Sequence, residues 1–283
     1  IDGFPILEDE LGFHWEEYYE HGGNIVKMSK QSKDGESFYG LGDKASHLNL
    51  KGRRVENWAM DQYAFHKDQE PLYKVVPFYI GLHHNKSYGV FFDNTFKTFF
   101  DFCHERRNVT SFWAEGGEMN YYFFYGPKMS DVVTTYTHLT GKPELPPMWT
   151  LGYHQCKWSY YPESKVKEIT SKFRELKIPC DGIYLDIDYM DHYKVFTWTP
   201  DKERYPDPEK MIADLAKDGI KIITIIDPGV KLEEGYSVYD KGVENGYFAT
   251  TPEGEIYVNA VWPGDAVYPD VGKKEVRDWW GEN

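Results

Sequence analysis

Several features are scarce in this 283-residue chain, and each absence narrows the chemistry that it can perform. The three cysteines, Cys103, Cys156 and Cys180, are odd in number and lack metal-ligand spacing, so a disulfide framework is not expected. The histidines, including His83 and His84, also lack ligand spacing, and we expect neither a metal nor a cofactor. No apolar run approaches the roughly 20 residues of a membrane helix, and no membrane association is expected.

Positive charge is scarce as well, because 32 Lys and Arg stand against 46 Asp and Glu, a net charge of −14. Nucleic acids and anionic membrane surfaces need basic patches, so neither is an expected partner. The chain begins at Ile1 without an initiator methionine or a signal peptide, and we expect it to start inside a longer protein. Cytoplasmic, periplasmic and secreted locations therefore stay open, as does a homo-oligomer.

Aromatic residues, by contrast, are abundant at 17% of the chain, and many of them lie in short runs within residues 1–128. Turn-forming Gly, Asn, Asp and Lys residues separate these runs, a pattern that is typical of an antiparallel β-sandwich. The clearest runs are residues 88–92, 96–102 and 121–125. We therefore predict an N-terminal sandwich over residues 1–128.

A helix and a stiff linker are predicted over residues 129–147. Ser130 is a suitable N-cap and Gly141 a suitable stop, with an apolar face between them. Pro143, Pro146 and Pro147 then stiffen the connection.

Strand and helix patterns alternate from residue 148 onward. One helix is predicted to start at Pro162 and another after an Asp207 cap with Pro208 at its first position. Such repeats fit a (β/α)8 barrel or an open doubly wound sheet, and the absence of a glycine-rich phosphate loop favours the barrel. The predicted strands are residues 149–155, 182–185 and 220–226. Since three strands cannot close an eight-stranded barrel, we expect residues 148–283 to be an incomplete barrel and the chain to be part of a larger enzyme.

Two carboxylates follow the second predicted strand. If the strand continued through them, Asp186 and Asp188 would share a face, roughly 6.5–7 Å apart. Such a pair would suit a glycosidase of the inverting type, which leaves room for a water molecule. Asp186 has an alternative role as a strand-end turn residue, and Asp188 has one in holding the loop through backbone N–H groups.

Four motifs, taken in order, give the chain a resemblance to a known family. They are residues 38–43 (FYGLGD), 146–149 (PPMW), 186–190 (DIDYM) and 261–264 (VWPG). Their order and spacing resemble glycoside hydrolase family 31, the α-glucosidase and α-xylosidase family, along nearly the full length of the chain. The resemblance implies an N-terminal β-sandwich that leads into a (β/α)8 barrel.

The resemblance also implies a pocket for one terminal sugar. Asp186 would bind sugar hydroxyls, Ile187 would line the pocket and Ile226 would close its floor. Asp61 would reach in from the sandwich. The implied substrate-binding residues are Asp61, Trp158, Asp186, Ile187, Ile226 and Trp262.

The family's catalytic residues do not appear in this sequence. Family members are retaining enzymes whose nucleophile is the Asp of an Asp-Met-Asn-Glu motif on the fourth barrel strand, and another Asp acts as the acid/base. Neither motif occurs here, and we expect both beyond Asn283. The carboxylates of this chain are therefore assigned to binding.

The hypothesis that follows is a fragment of a retaining, exo-acting α-glucosidase that hydrolyses terminal α-glucosyl residues of oligosaccharides. α-Xylosidase, α-galactosidase and transglycosylase activities stay open within the same family. A catalytically inactive carbohydrate-binding protein is the alternative from another class, and a structural sandwich module fused to an α/β domain is a third. The expected partners are an α-linked oligosaccharide and the remainder of the barrel, as a continuation or a companion chain.

Overall fold

The computed structural model describes residues 3, 5–18, 23–261 and 264–283. The contacts divide the chain into two compact units, Ile1–Pro143 and Glu144–Asn283. The first unit is an antiparallel β-sandwich. The second contains three parallel strands with helices between them, the first part of a (β/α)8 barrel, and its sheet does not close. Both features were predicted from the sequence.

The strands of the first unit form two sheets with antiparallel pairing throughout. The strands are β1 (Glu8–Tyr18), β2 (Gly23–Gln31), β3 (Ser37–Gly42), β4 (Arg54–Asn57), β5 (Val75–His83), β6 (Lys86–Phe92), β7 (Thr98–Phe102), β8 (Val109–Ala114) and β9 (Tyr121–Tyr125). One sheet has the order β1-β2-β8-β7-β4 and the other the order β3-β5-β6-β9. Alternate side chains of each strand point inward, so the core between the sheets is mainly aromatic, with Phe38, Phe92, Phe100 and Tyr79 fully buried.

A helix, α1 (Met129–Thr140), packs on the other face of the four-stranded sheet. Tyr136 stacks on Phe78 with ring centroids 4.0 Å apart. Val132 is completely buried above Gly89, where an added Cβ would lie 2.6 Å from the valine methyl group. The helix belongs to the first unit, although its predicted N-cap is wrong. The cap is Lys128, because the Asp131 carboxylate accepts a hydrogen bond from its backbone N–H and starts the helix earlier.

The second unit has two separate sheets and four helices among the described residues. Its strands are β10 (His154–Gln155), β11 (Gly182–Leu185), β12 (Lys221–Thr224), β13 (Val230–Lys231), β14 (Val258–Val261) and β15 (Gly264–Val267). Its helices are α2 (Glu163–Glu175), α3 (Pro208–Lys217), α4 (Ser237–Glu244) and α5 (Lys274–Glu282). Strands β10, β11 and β12 are parallel and adjacent in that order, whereas β13, β15 and β14 form an antiparallel sheet.

The first parallel strand is much shorter than predicted. Residues Met148–Leu151 form a 3-10 turn, because the Pro147 carbonyl accepts hydrogen bonds from both the N–H and the hydroxyl of Thr150. Only His154 and Gln155 pair with β11. The apolar pattern of the segment thus reflects a turn and a short strand.

Helix boundaries follow the sequence signals to within one or two residues. Pro162 is the N-cap of α2 instead of its first residue, and the helix ends at the exposed C-terminal cap Leu176. For α3 the prediction is confirmed, since the Asp207 carboxylate accepts from the N–H of Lys210 and Pro208 is the first residue. None of the helices in the described ranges has the length and apolar character that a membrane span requires.

Candidate functional site

The carboxyl ends of the three parallel strands lie side by side at one edge of their sheet. Gln155 at the end of β10 is in register with Ile183, and Leu185 at the end of β11 is in register with Thr224 of β12. The N–H of Ile225 donates to the Leu185 carbonyl at 3.1 Å, so the pairing continues past β12. Residues that directly follow these strands are therefore neighbours, as in the functional edge of a parallel sheet.

Asp186 is the first residue after β11, and it ends the strand. One of its carboxylate oxygens accepts a hydrogen bond from the N–H of Ile187 at 2.7 Å, which makes Asp186 the cap of a 3-10 turn, Ile187–Tyr189. Its other oxygen accepts no hydrogen bond from the described residues, and the side chain is half-buried. The carboxylate is thus anchored by one oxygen and can accept from a ligand with the other.

Cys156 lies near Asp186, at the end of the neighbouring strand β10. Its thiol is exposed, yet local burial raises its pKa, and the negative charge of Asp186 raises it further. The number of cysteines in the sequence did not indicate that Cys156 would lie beside Asp186. Only the parallel pairing of β10 with β11 shows that the thiol and the carboxylate share one edge.

Asp188 does not form a carboxylate pair with Asp186 on a strand face. Strand β11 ends at Leu185, and Asp188 lies in the following 3-10 turn. The predicted strand spacing of the two carboxylates is therefore wrong, since side chains in a tight turn do not alternate as they do on a strand.

The Asp188 carboxylate instead binds an aromatic side chain. It is buried, with 6% of its surface exposed, and accepts a hydrogen bond of 2.9 Å from the indole N–H of Trp158. Trp158 itself is 71% exposed. A charged acceptor strengthens such a bond, so Asp188 fixes the position of a large exposed ring. The predicted role of Asp188 in holding the loop through backbone N–H groups is therefore wrong, because its hydrogen-bond partner is an indole.

The loop that carries Trp158 is also fixed at its base. Gln155 donates to the Tyr160 hydroxyl at 2.8 Å, and the Tyr205 hydroxyl donates to the Tyr160 carbonyl at 2.8 Å. Burial raises the pKa of Tyr205, and the nearby charge of Asp188 contributes. The exposed indole therefore projects from a rigid base.

Ile226 and Asp227 follow β12 at the same edge. Ile226 is 48% exposed, whereas Ile187 is half-buried against the core of the second unit. Tyr189 joins the two strand ends, because its hydroxyl donates to the Ile225 carbonyl at 2.8 Å. Burial raises the pKa of Tyr189, and the Asp227 carboxylate adds to the rise. The role of Tyr189 was missed in the sequence, where a buried tyrosine reads only as core.

A polar network holds the segment after Asp188. Lys194 pairs with Asp191 at 2.9 Å and with Glu233 at 3.3 Å, and Glu233 also pairs with Lys231 at 2.8 Å. These cations lower the pKa of both carboxyl groups through direct hydrogen bonds. The network ties the loop after the strand-end turn to β13.

Asp61 lies in the first unit, on the loop between β4 and β5. The loop is closed by a hydrogen bond of 3.1 Å from the N–H of Met60 to the Leu72 carbonyl. Tyr73 contacts the exposed Asp61 carboxylate: burial raises the pKa of Tyr73, and its hydrogen bond to Asp61 raises it further. Trp262, the remaining predicted substrate-binding residue, lies outside the described residues.

No group of three or more His, Cys, Asp or Glu side chains in the described ranges is arranged to hold a metal ion.

Comparison with known families matches both units of the chain. Residues 143–283 match the model of the glycosyl hydrolases family 31 TIM-barrel domain, and residues 2–101 match that of the glycosyl hydrolase 31 N-terminal galactose mutarotase-like domain. The chain belongs to glycoside hydrolase family 31. The predicted family assignment is therefore confirmed.

Family 31 relatives match nearly all of the chain. It is 44% identical to alpha-glucosidase 2 of Bacillus thermoamyloliquefaciens over 89% of this chain and 32% of that protein. It is 38% identical to an alpha-glucosidase of Saccharolobus solfataricus over 91% of this chain and 37% of that protein. A solved family 31 dextranase of Flavobacterium johnsoniae, complexed with glucose, has a TM-score of 0.85 and 35% identity, over 98% of this chain and 33% of that one. The chain thus spans about a third of the length of the family 31 proteins that it matches.

Proposed function

We propose that the protein is a retaining, exo-acting α-glucosidase of family 31, and that this chain supplies much of its binding site for a terminal glucosyl residue. The observation that carries the proposal is the state of Asp186. Its carboxylate lies at the functional edge of the sheet, is anchored through one oxygen and has the other available. A carboxylate in this state can accept hydrogen bonds from sugar hydroxyls and orient the ring.

Trp158 is proposed to form an aromatic wall of this site. Sugars present apolar C–H faces that pack on aromatic rings, and the indole is exposed while its N–H is held by Asp188. Ile187 and Ile226 are proposed to supply apolar surface beside the ring. Asp61 and Trp262 are proposed as further contacts on the strength of the family motifs alone.

The catalytic nucleophile and the acid/base are proposed to be residues other than Asp186 and Asp188. Asp188 is buried and engaged by Trp158, so it cannot reach across a glycosidic bond as one member of a catalytic pair must. The proposed nucleophile is instead the Asp of the family's Asp-Met-Asn-Glu motif on the fourth barrel strand, and the proposed acid/base is another Asp, as the family resemblance implies.

Kinetics of the full-length protein test the proposal. It should hydrolyse maltose, isomaltose or p-nitrophenyl α-glucoside, with retention of anomeric configuration. Asp186→Ala should lower kcat/KM by roughly 10- to 100-fold, the range for a hydrogen bond to a charged group. Absence of turnover on every α-glucoside, or unchanged kinetics in Asp186→Ala, would contradict it.

α-Xylosidase, α-galactosidase and transglycosylase activities are separated from the proposal by the same assay. An α-xylosidase or α-galactosidase would show a higher kcat/KM on α-xylosides or α-galactosides than on α-glucosides. A transglycosylase would form transfer products in place of glucose.

A carbohydrate-binding protein without activity is the second candidate. The hydrogen bond between Asp188 and Trp158 favours this candidate. It leaves Asp186 as the one carboxylate of the strand-end turn that can contact a sugar, and a single carboxylate can bind a sugar but cannot form a catalytic pair. Glucose binding without turnover by the full-length protein would select this candidate over the enzyme.

A further inference from the structure

A cleft of about 370 Å³ opens at one end of the sandwich, between its two sheets. Binding sites for small molecules are typically about 300–1,000 Å³, so the volume suffices for a compact ligand. The cleft is lined by residues of the first unit, among them Asn57 of β4, Thr98 of β7, Pro77 of β5, Phe91 of β6 and the loop residues Trp58 and Phe96.

Two buried polar side chains in this lining lack partners. Asn57 and Thr98 are opposite each other on β4 and β7, and each is only 1% exposed. Neither the Asn57 amide nor the Thr98 hydroxyl has a hydrogen-bond partner among the described residues. Buried polar groups are almost always satisfied, so their position in a cleft points to a polar ligand. Together they can both donate to and accept from hydroxyl groups.

Two aromatic rings stand at the rim of the cleft. Trp58 is 46% exposed and Phe96 is 53% exposed. Phe96 is held in place, because its N–H donates to the Asn94 side chain at 2.8 Å and an added Cβ at Gly116 would come within 2.7 Å of its ring. Asn94 in turn donates to the Gly116 carbonyl at 2.9 Å. The Phe96 side of the rim is therefore fixed before a ligand arrives.

The charge of the lining narrows the ligand class. No Lys, Arg or His contributes to it among the described residues, and Asp93 adds a carboxylate that accepts from the Asn120 amide at 3.0 Å. Anionic ligands such as phosphates are disfavoured, and a wholly apolar ligand would leave Asn57 and Thr98 unsatisfied. A neutral saccharide carries no negative charge and has polar groups for Asn57 and Thr98. Its C–H faces can pack on the aromatic rings, and its hydroxyls can bond the Asn57 amide.

We propose that this cleft of the sandwich is a saccharide-binding site and that it binds sugar independently of Asp186. Trp58 and Phe96 pack on the sugar, while Asn57 and Thr98 bond its hydroxyls. Asp61 is on the same loop as Trp58 but is not among the residues that line the cleft. The proposal goes beyond the α-glucosidase activity and does not require it.

Binding of methyl α-D-glucopyranoside and of isomaltotriose to the full-length protein tests it. The Asp186→Ala protein, whose strand-end site is impaired, should still bind one equivalent of sugar in calorimetry. Adding Trp58→Ala should weaken that binding about tenfold, the effect of one good aromatic contact. Asn57→Ala should also weaken sugar binding. Phe13 is an exposed aromatic residue outside the cleft, so Phe13→Ala should leave sugar binding unchanged.

Fluorine NMR of protein labelled with 5-fluorotryptophan supplies the second readout. The Trp58 resonance is identified by its loss in Trp58→Phe. Before sugar is added, a soluble nitroxide should broaden this resonance because the ring is exposed, and addition of sugar should shift it. Loss of all binding in Asp186→Ala, no effect of Trp58→Ala, or a Trp58 ring already shielded in the unliganded protein would overturn the proposal. Because these readouts do not involve turnover, failure of the α-glucosidase assay would leave them intact.

Discussion

Removal of the Asp188 carboxylate is the perturbation with the best-defined expected cost. The bond from the Trp158 indole is 2.9 Å long and its acceptor is a buried anion. A hydrogen bond to a charged group contributes about 1.5–3 kcal/mol. Trp158 is largely exposed, so its freed indole N–H can bond water and the main loss is in the position of the ring. Under the proposed α-glucosidase activity, we therefore expect Asp188→Ala to lower kcat/KM of the full-length protein roughly 10- to 100-fold.

A double-mutant cycle separates this positioning effect from general destabilisation. Trp158→Phe keeps a ring and removes the N–H, so it breaks the same bond. If Asp188 acts through Trp158, the double variant Asp188→Ala/Trp158→Phe should be little worse than either single variant. Asp188→Asn keeps an acceptor oxygen and should recover part of the activity.

The matched control is Asp191→Ala, which removes a half-buried carboxylate bound to Lys194 on the same loop. It should lower thermal stability but combine additively with Trp158→Phe. Additive losses for Asp188→Ala and Trp158→Phe, or wild-type kinetics in both, would refute the reasoning.

Three further predictions concern the chain itself. Burial and the charge of Asp186 raise the pKa of Cys156. Asp186→Asn should lower that pKa, increase the thiolate fraction and so speed alkylation of Cys156 by iodoacetamide at pH 8, measured by mass spectrometry. The control Glu253→Gln should not change the rate. Lys210 and Lys217 lower the pKa of Asp214 to about 2; its stabilising contribution is therefore present above about pH 4 and lost as the pH falls toward 2, and Lys210→Ala should raise the NMR titration midpoint. The 283-residue chain expressed alone should aggregate, since a three-stranded parallel sheet leaves strand edges unpaired; a soluble monomer that unfolds cooperatively would contradict this.

The alternation of apolar strands with capped helices was readable in the sequence because its signals are local. Asp207 followed by Pro208 starts a helix through its own side chain, and the aromatic runs of the sandwich alternate with turn residues. Short-range rules fail where a turn competes with a strand. The Pro147 carbonyl captures Thr150 and converts most of an expected strand into a 3-10 turn.

The sequence by itself therefore determined the family and the order of the two folds, since each depends on residues that are neighbours along the chain. Tertiary structure alone decided what the carboxylates and rings touch. Asp188 and Trp158 are 30 residues apart, and no spacing rule links a buried carboxylate to an indole on the loop that follows the neighbouring strand β10. Asn57 and Thr98 likewise meet only because β4 pairs with β7. Hydrogen bonds between distant segments depend on strand pairing, and strand pairing is a property of the folded chain.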